Sequence, residues 1–561
     1  MKNLKKICQA SILALSLIFT ANESIAQQPI PTHYFGENAW MPDTIGSTFY
    51  NGKLHQVWQD VKTSNASMVR YGGIAVDYDV PTKFQYIRMI DSIRANGMEP
   101  IIQVPFGKFQ STAQQAADIV TYINVTKGKN IKYWIIANEP DLKYGYTTAA
   151  QIAAYYKPFA SAMKAVDPSI LLIGPEIASY NQSIINGLTT PGGPSDITGK
   201  DAAGRYYLDV ISFHTYPFNG SQDRNAVVTK LTSTNGLQDN LIHLNGRVAS
   251  CNSFHNRTGA AKLKTAITEA NIGWKNPAGD NINGLGVNSF IGGQFVAEMM
   301  CIGLKNNLDF INIWSIIEGN NTEANIGYID HSTKKKKPMF YHFKMLAQNF
   351  KGNYIDGITN KPNVKSFGSQ NSQEISVLVM NQELSGSYNC KIRLNATAIA
   401  GTTALKVNVD AGINVEYDEV IESQSTVLFT FNSAGTLIRK TEYTITNAIA
   451  NQPPTVTELL TTGVGETTVQ DNGPFEIKNV FPNPTAGKFT VEMNKANGSE
   501  KEFNVQIFNI IGQEVYNKNS TFINGKEVVE LEPSIASGEY IVRIKEQDKD
   551  NYLVRKIMLQ K

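Results

Sequence analysis

Between residues 30 and 350 the chain alternates short apolar runs with amphipathic stretches. Eight runs read as strands: HYFGENAW, SMVRYGG, EPIIQVPF, IKYWIIANEP, ILLIGPEIAS, LDVISFHTYPF, KTAITEANIGW and LDFINIWSIIEG. Between most of them lie segments whose apolar residues recur three and four positions apart, the spacing of a helix face: TKFQYIRMIDSIRANG, TAQQAADIVTYINVTKG, TAAQIAAYYKPFASAMKAV and NSFIGGQFVAEMMCIGLKNN. Eight strands alternating with helices over about 320 residues predict a (β/α)8 barrel, slightly long for its usual size. An open doubly wound sheet is the competing arrangement, but the region has no glycine-rich phosphate loop.

The pattern then changes. From 355 to 445 helical spacing disappears, and runs such as EISVLVM, ALKVNV and STVLFTF stand between Asn, Gly and Ser turns, which predicts a small β-sandwich. Residues 446–474 are rich in Thr, Asn, Pro and Gly and read as a linker. From 475 to 561 short strands return. At the other end, Lys2, Lys5 and Lys6 precede SILALSLIF, and Ser24-Ile25-Ala26 offers small residues at a cleavage position. Residues 1–26 therefore read as a secretory signal peptide, cut after Ala26, with a membrane anchor as the competing reading. The barrel then occupies 27–354. No later apolar run is long enough to span a bilayer, so the mature chain is expected to have no membrane span.

Composition removes some function classes. The formal net charge is +2 over 561 residues, with no long basic stripe, so nucleic acid is not an implied partner. Lys334 to Lys337 is the one cationic run and reads as a solvated loop. The mature chain keeps Cys251, Cys301 and Cys390, too few and too odd in number for a disulfide framework, and whether any of them pair is left open. There is no CxxC pair and no HExxH, so neither a metal nor a cofactor is called for.

The candidate chemistry collects at the C-terminal ends of the strands, where a barrel places its site. Those ends carry Arg70, Asn138, Glu139, His214, Tyr216, Glu269 and Trp314. WIIANEPDL poses the question most sharply, because a buried strand runs into an amide and a carboxylate, whose burial is costly unless something uses it. Glu139 ends the fourth strand and Glu269 the seventh, which face each other across a barrel mouth. Two such carboxyls can divide acid/base and nucleophile roles in glycosidic bond cleavage, about 5–5.5 Å apart if the enzyme retains configuration and about 6.5–9.5 Å apart if it inverts. Arg70 can keep Glu269 ionised, Tyr216 can donate to it, His214 can orient the group, and Asn138 can meet a sugar hydroxyl. Trp314 offers a flat face for a sugar ring, and Trp40 and Trp274 extend that platform. Glu176 and Glu318 are weaker candidates with no assigned role.

These residues resemble the glycoside hydrolases of clan A, retaining (β/α)8 enzymes. Asn138-Glu139-Pro140 is similar to the strand-four motif, which implies Glu139 as acid/base. Thr268-Glu269 with Ala270-Asn271 is similar to the strand-seven motif, which implies Glu269 as nucleophile, and His214-Thr215-Tyr216 to the strand-six motif, which implies a Tyr216 bond to it. Arg70-Tyr71-Gly72-Gly73 resembles the strand-two segment of the xylosidase, arabinofuranosidase and glucuronidase branches, without the proline that arabinofuranosidases tend to carry there. At the C-terminus, VFPNPTAGKFTVEM, VQIFNIIGQEVY and GEYIVRI resemble the type IX secretion sorting domain, carried by Pro482, Asn483, Pro484, Gly487 and Gly512. A carbohydrate-binding module is the competing reading of that domain.

The resulting expectation is a retaining glycoside hydrolase, exported by the type IX machinery to the cell surface or medium. It would cleave β-linked or arabinofuranosyl bonds in plant or algal polysaccharide. The alternative is a catalytically inactive glycan-binding or adhesive surface protein on a barrel scaffold. Specificity is expected in the loops after the strands, of which Tyr180 to Tyr207 is the longest and reads as a shaped, mobile rim.

Overall fold

The computed structural model describes residues 28–40, 54–106, 111–319, 325–459, 475–495, 502–509, 513–522, 525–546 and 552–560. The expected signal peptide and Gly512 lie outside them. The chain divides into two compact bodies, Met1–Val427 with Tyr443–Pro454, and Leu428–Glu442 with Thr455–Lys561, and each is described on its own.

The first body holds the barrel. Its strands are β1 (Phe35–Ala39), β2 (Met68–Tyr71), β3 (Glu99–Val104), β4 (Tyr133–Ile136), β5 (Leu171–Ile177), β6 (Val210–Thr215), β7 (Lys264–Ala270) and β8 (Phe310–Ile313). They close in that order, and β8 returns to β1 in parallel through Phe35 and Ile311. Each coincides with one of the eight apolar runs.

Side chains two apart on a strand share a face, and that period builds the barrel in two storeys. Met68, Ile101, Tyr133, Ile135, Ile173, Val210, Ala266 and Phe310 pack together as an apolar core. Two residues onward, Met68 gives way to Arg70, Ile101 to Gln103, Val210 to Ser212, Ala266 to Thr268 and Phe310 to Asn312, all buried. The barrel is thus apolar towards the strand starts and polar towards the strand ends. Most of their polar atoms find partners there: Ser212 and Thr268 donate to Glu176, Asn312 to the Glu37 carbonyl, and Arg70 to neighbouring side chains.

The helices start where local chemistry tells them to. Thr82, Thr112 and Thr148 each cap a helix and are answered three residues on by Gln85, Gln115 and Gln151, which close reciprocal capping boxes. The helix Phe290–Lys305 is buried along nearly its whole length. It sits between the barrel and a mostly antiparallel β domain, in which Tyr388–Arg393 and Leu405–Val409 pair in parallel. Gln294 Nε2 donates to the Ser425 carbonyl at 2.9 Å, and Gln382 Nε2 to Glu298 at 3.0 Å.

That β domain starts at the strand Asn353–Thr359, whose first half pairs with Val364–Gln370 and whose last three residues pair with Leu405–Val409. One strand therefore serves two sheets. Gln28 and Pro29 pair with Tyr354 and Asn353, so the first described residues join this domain and not the barrel. The expected linker is structured over its first part: a helix spans Ile445–Ile449, and Thr455–Glu458 pairs with Leu437–Thr444. Residues 460–474 lie outside the described residues.

The lysine run is a loop exposed at Lys335 and half-buried at Lys334 and Lys336, but its last residue departs from the expectation. Lys337 is buried at the start of the helix Pro338–Asn349 and donates to the Asn325 carbonyl at 2.8 Å, and burial lowers its pKa to about 8. Cys251, Cys301 and Cys390 are free and buried.

In the second body, Phe475–Phe481, Lys488–Lys495 and Lys526–Glu530 form a three-stranded sheet. Glu502–Asn509, Glu514–Thr521, Gly538–Glu546 and Tyr552–Leu559 form a four-stranded one. Ile477, Val491, Val505, Val529, Val542 and Ile557 share one core with their neighbours from both sheets.

Candidate active site

Arg70 points from β2 into the polar storey and is fully buried. Its Nη1 donates to Glu269 Oε1 at 2.8 Å and to Asn38 Oδ1 at 3.0 Å. Its Nη2 donates to Asn138 Oδ1 at 2.8 Å and to Glu176 Oε2 at 3.0 Å. A rigid, permanently charged fork suits this role. One guanidinium joins the ends of β1, β4, β5 and β7.

Glu176, on β5, is the anchor of the site. Its Oε2 accepts from Arg70, and its Oε1 accepts from Ser212 Oγ at 2.5 Å and Thr268 Oγ1 at 2.6 Å. Burial alone would raise its pKa, but Arg70, His214 and Ser212 hold it at about 2. It stays ionised.

His214 lies between three carboxylates. Its Nδ1 is 3.1 Å from Glu139 Oε1 and 3.5 Å from Glu269 Oε2, and its Nε2 is 3.3 Å from Glu176 Oε2. Burial lowers its pKa, yet Glu269, Glu139 and Glu176 outweigh that and carry it to about 10. With acceptors at both nitrogens, the ring is an imidazolium.

The two candidate carboxylates differ in setting. Glu269 is buried, and its second oxygen accepts from Tyr216 Oη at 2.7 Å. Burial raises its pKa and Glu139 adds to that, against the pull of His214, Arg70 and Tyr216. The Glu139 side chain keeps 12% exposure and lies 3.9 Å from Lys143. Burial raises its pKa too, but His214, Lys143 and Arg70 bring it below the ordinary value. One oxygen from each, with a His214 nitrogen, lie within 4.8 Å of one another. Three such donors could in principle hold a metal ion. Here both Glu269 oxygens already accept hydrogen bonds, from Arg70 and Tyr216, and both His214 nitrogens face carboxylate oxygens.

The charges can be counted. Arg70 and His214 supply two positive charges, and Glu139, Glu176 and Glu269 supply three negative ones when ionised. With Glu176 fixed as an anion, one proton shared by Glu139 and Glu269 neutralises the cluster. Coupled carboxyls of this kind titrate as a pair.

The backbone is bent to fit. Ala137, Glu139 and Glu176 have φ of 71°, 45° and 59°, a region that side chains other than glycine avoid and that concentrates at functional sites. Asp77, on the short helix after β2, is buried and holds the turn. It accepts from the Asn138 amide at 3.2 Å, the Phe106 amide at 2.9 Å, Gln103 Nε2 at 3.0 Å and Tyr144 Oη at 3.0 Å.

A Cβ on Gly73 would lie 2.5 Å from the Trp314 ring and 3.6 Å from Trp40 Cβ, so these two tryptophans flank the same turn. That approach, with φ of 98°, requires glycine. Trp314 Nε1 donates to Glu318, which also accepts from Ser315 Oγ at 3.2 Å and whose pKa burial raises to about 8. Trp274 is 58% exposed and lines an open groove together with Tyr216.

The segment from Tyr180 to Tyr207, expected to be mobile, is anchored. Arg247 Nη2 donates to the Thr189 carbonyl at 2.7 Å and Arg257 Nη1 to the Thr198 carbonyl at 3.0 Å. Asp196 accepts from Thr198 Oγ1 at 2.7 Å and lies 2.8 Å from His255 Nε2. Sequence reading missed Asn38, Asp77, Gln103, Ser212 and Thr268. The available signal was the period of two along each strand, which puts all but Asp77 above an apolar core position or beside Arg70.

Residues 479–560 match the family described as the secretion system C-terminal sorting domain. The protein is therefore a secreted or cell-surface one, addressed to the type IX machinery. No helix among the described residues is long and apolar enough to cross a membrane. No curated protein matches the sequence significantly. Solved structures do match in fold. A family 51 α-L-arabinofuranosidase from Bifidobacterium longum is 15% identical, over 64% of this chain and 85% of its own, with a TM-score of 0.49. A family 44 xyloglucanase from Paenibacillus polymyxa is 13% identical, over 72% and 97%, with a TM-score of 0.49. A bacterial orthologue of human α-L-iduronidase is 12% identical, over 94% and 97%, with a TM-score of 0.48. Fold does not determine chemistry, which lies with the side chains at the barrel mouth.

Proposed function

We propose that the protein is a retaining glycoside hydrolase that cleaves β-linked or arabinofuranosyl bonds in plant or algal polysaccharide by double displacement. The observation that carries this reading is the placement of Glu139 and Glu269 oxygens within 4.8 Å of each other. A nearest-oxygen approach of that size suits the about 5–5.5 Å of a retaining pair better than the about 6.5–9.5 Å of an inverting one.

Glu269 is the nucleophile. Arg70 and Tyr216 hold both its oxygens and favour the carboxylate that attacks the anomeric carbon, against the burial and the Glu139 charge that raise its pKa. Glu139 is the acid/base. It keeps contact with solvent, as a group must that gives a proton to the leaving oxygen and later takes one from water. A sugar seated over Glu139 removes that solvent, which favours its neutral form. The shared proton then moves towards Glu139, while Glu269 keeps its donors. Asn138 Oδ1 is bonded to Arg70, so a sugar hydroxyl meets the amide NH2. Trp314 and Trp40 supply the apolar wall.

The test is hydrolysis of a panel of polysaccharides and aryl glycosides by wild type, Glu139→Ala and Glu269→Ala. The expected result is a cleaved substrate, loss in both variants, and rescue of Glu269→Ala by azide as an inverted glycosyl azide. If wild type cleaves nothing and binds a glycan that both variants also bind, the inactive binding protein is the correct reading.

A further inference from the structure

A depression adjoins the candidate active site. Beyond Tyr216 the loops after β6 and β7 form an open groove of about 350 Å³, lined by Tyr216, Asn219, Ser221, Gln222, Asp223 and Trp274 with their neighbours. We propose that this groove binds a further, uncharged sugar unit of the substrate, with Trp274 as its stacking surface. The proposal rests on the glycosidase reading above and extends it from one bond to a chain of sugars.

Continuity is the first argument. The hydroxyl of Tyr216 donates to Glu269 while the residue also walls the groove. A sugar held at Glu269 therefore has its neighbour in the polymer within reach of Trp274, five positions along the chain from Glu269.

Rigidity is the second. The two loops are bridged at Phe218 and Gly273, and the Trp274 amide donates to the Phe218 carbonyl at 3.1 Å. A Cβ at position 273 would lie 2.6 Å from the Phe218 carbonyl oxygen, so the bridge needs glycine there. The indole is thus presented to solvent from a fixed backbone, at 58% exposure. An aromatic face that is already positioned binds the C–H face of a sugar at small entropic cost.

Chemistry is the third. Asn219 Oδ1 accepts from the amide and the hydroxyl of Ser221, at 3.2 Å and 2.6 Å, and Gln222 Nε2 donates to the Leu285 carbonyl at 2.7 Å. Amides and a hydroxyl beside an indole form a lining suited to sugar hydroxyls. Among the described lining residues Asp223 is the one charged side chain, and it caps the helix Arg224–Thr229. An anionic sugar would meet a carboxylate and no cation, so the occupant is neutral. The volume, near the low end of the roughly 300–1,000 Å³ of ligand pockets, suits a short stretch of glycan.

The experiment measures calorimetric binding of gluco-, xylo-, manno- and galacto-hexaoses and of hexagalacturonate. It uses the full chain carrying Glu269→Gln to prevent turnover, with and without Trp274→Ala or Trp274→Tyr. The expected result is binding of at least one neutral hexaose, at least about tenfold more tightly than hexagalacturonate. Trp274→Ala should weaken it about tenfold and Trp274→Tyr much less. In the otherwise wild-type enzyme, the ratio of kcat/KM for that hexaose to kcat/KM for an aryl monoglycoside should fall about tenfold with Trp274→Ala. Unchanged affinity and an unchanged ratio overturn the subsite even if the enzyme is active, as does preference for hexagalacturonate or binding of none of the probes. If wild type cleaves no glycoside but Trp274→Ala loses hexaose binding, the groove stands as a glycan site and the catalytic reading falls.

Discussion

Glu176→Gln separates the charge of the buried anchor from its hydrogen bonds. In the variant the amide oxygen can take the side facing Arg70 and His214, and the amide NH2 can donate to the hydroxyls of Ser212 and Thr268, which rotate to accept. The bonds survive, and the negative charge that balances two cations does not. Its worth follows from the displacement of the carboxyl from 4.5 to about 2. At about 1.4 kcal/mol per pKa unit this is about 3 kcal/mol, at the lower edge of the roughly 3–5 kcal/mol for breaking a buried pair. The sign is set by linkage. A carboxyl lowered in the folded state contributes stability that is fully present above the unfolded value of 4.5 and lost as pH falls through about 2. Thermal unfolding of the full chain, followed by circular dichroism, should therefore place the barrel transition of Glu176→Gln about 3–4 °C below wild type at pH 6, since the unfolding entropy of so large a body is about 2.1 cal/mol/K per residue. The gap should close as pH approaches 2, where wild type also carries a neutral group. A variant within about 1 °C of wild type at pH 6, or a gap that does not narrow in acid, would refute the claim that the charge of Glu176 holds the site together.

Other outcomes follow from the same cluster. Tyr216→Phe removes a hydrogen bond to a carboxylate, worth about 1.5–3 kcal/mol, so kcat/KM should drop by up to about 10- to 150-fold, and the melting temperature should fall as well because the bond is already made without substrate. His214→Asn removes the cation that lowers Glu139, so the alkaline limb of the kcat profile, which reports the loss of the Glu139 proton, should move to higher pH. The same variant should lack the stability that wild type loses between pH 6.5 and about 10, because the folded pKa of His214 lies above its unfolded value. Gly73→Ala places a methyl against Trp314 at a φ of 98°, and should cost about 1–3 kcal/mol in denaturant unfolding and impair sugar binding on that wall.

The barrel was legible because its strands are covered on both faces and its helices on one, so two different periodicities alternate along the chain. The ends of those strands were legible too. Arg70, His214, Tyr216 and Glu269 meet within hydrogen-bond range, as their shared position predicted. Glu176 carried a weaker signal. It follows a proline in an apolar run, and nothing local distinguishes an anchor from a solvated strand end. The lysine run misled for a similar reason. Four adjacent lysines read as solvated, yet the start of a helix draws Lys337 into a buried bond.

The sequence by itself determined the alternation of strand and helix, the order of the motifs and the sorting domain at the end, because each depends on residues near one another in the chain. The tertiary structure decided which groups share a proton and which hold the chain rigid. Arg70 and Glu269 are 199 positions apart, and Glu176 and Thr268 are 92 apart. Their charge states depend on burial and on partners that only the closed barrel brings within 3 Å. The position of Trp274 was decided the same way, by a bridge between Phe218 and Gly273 that no local spacing records.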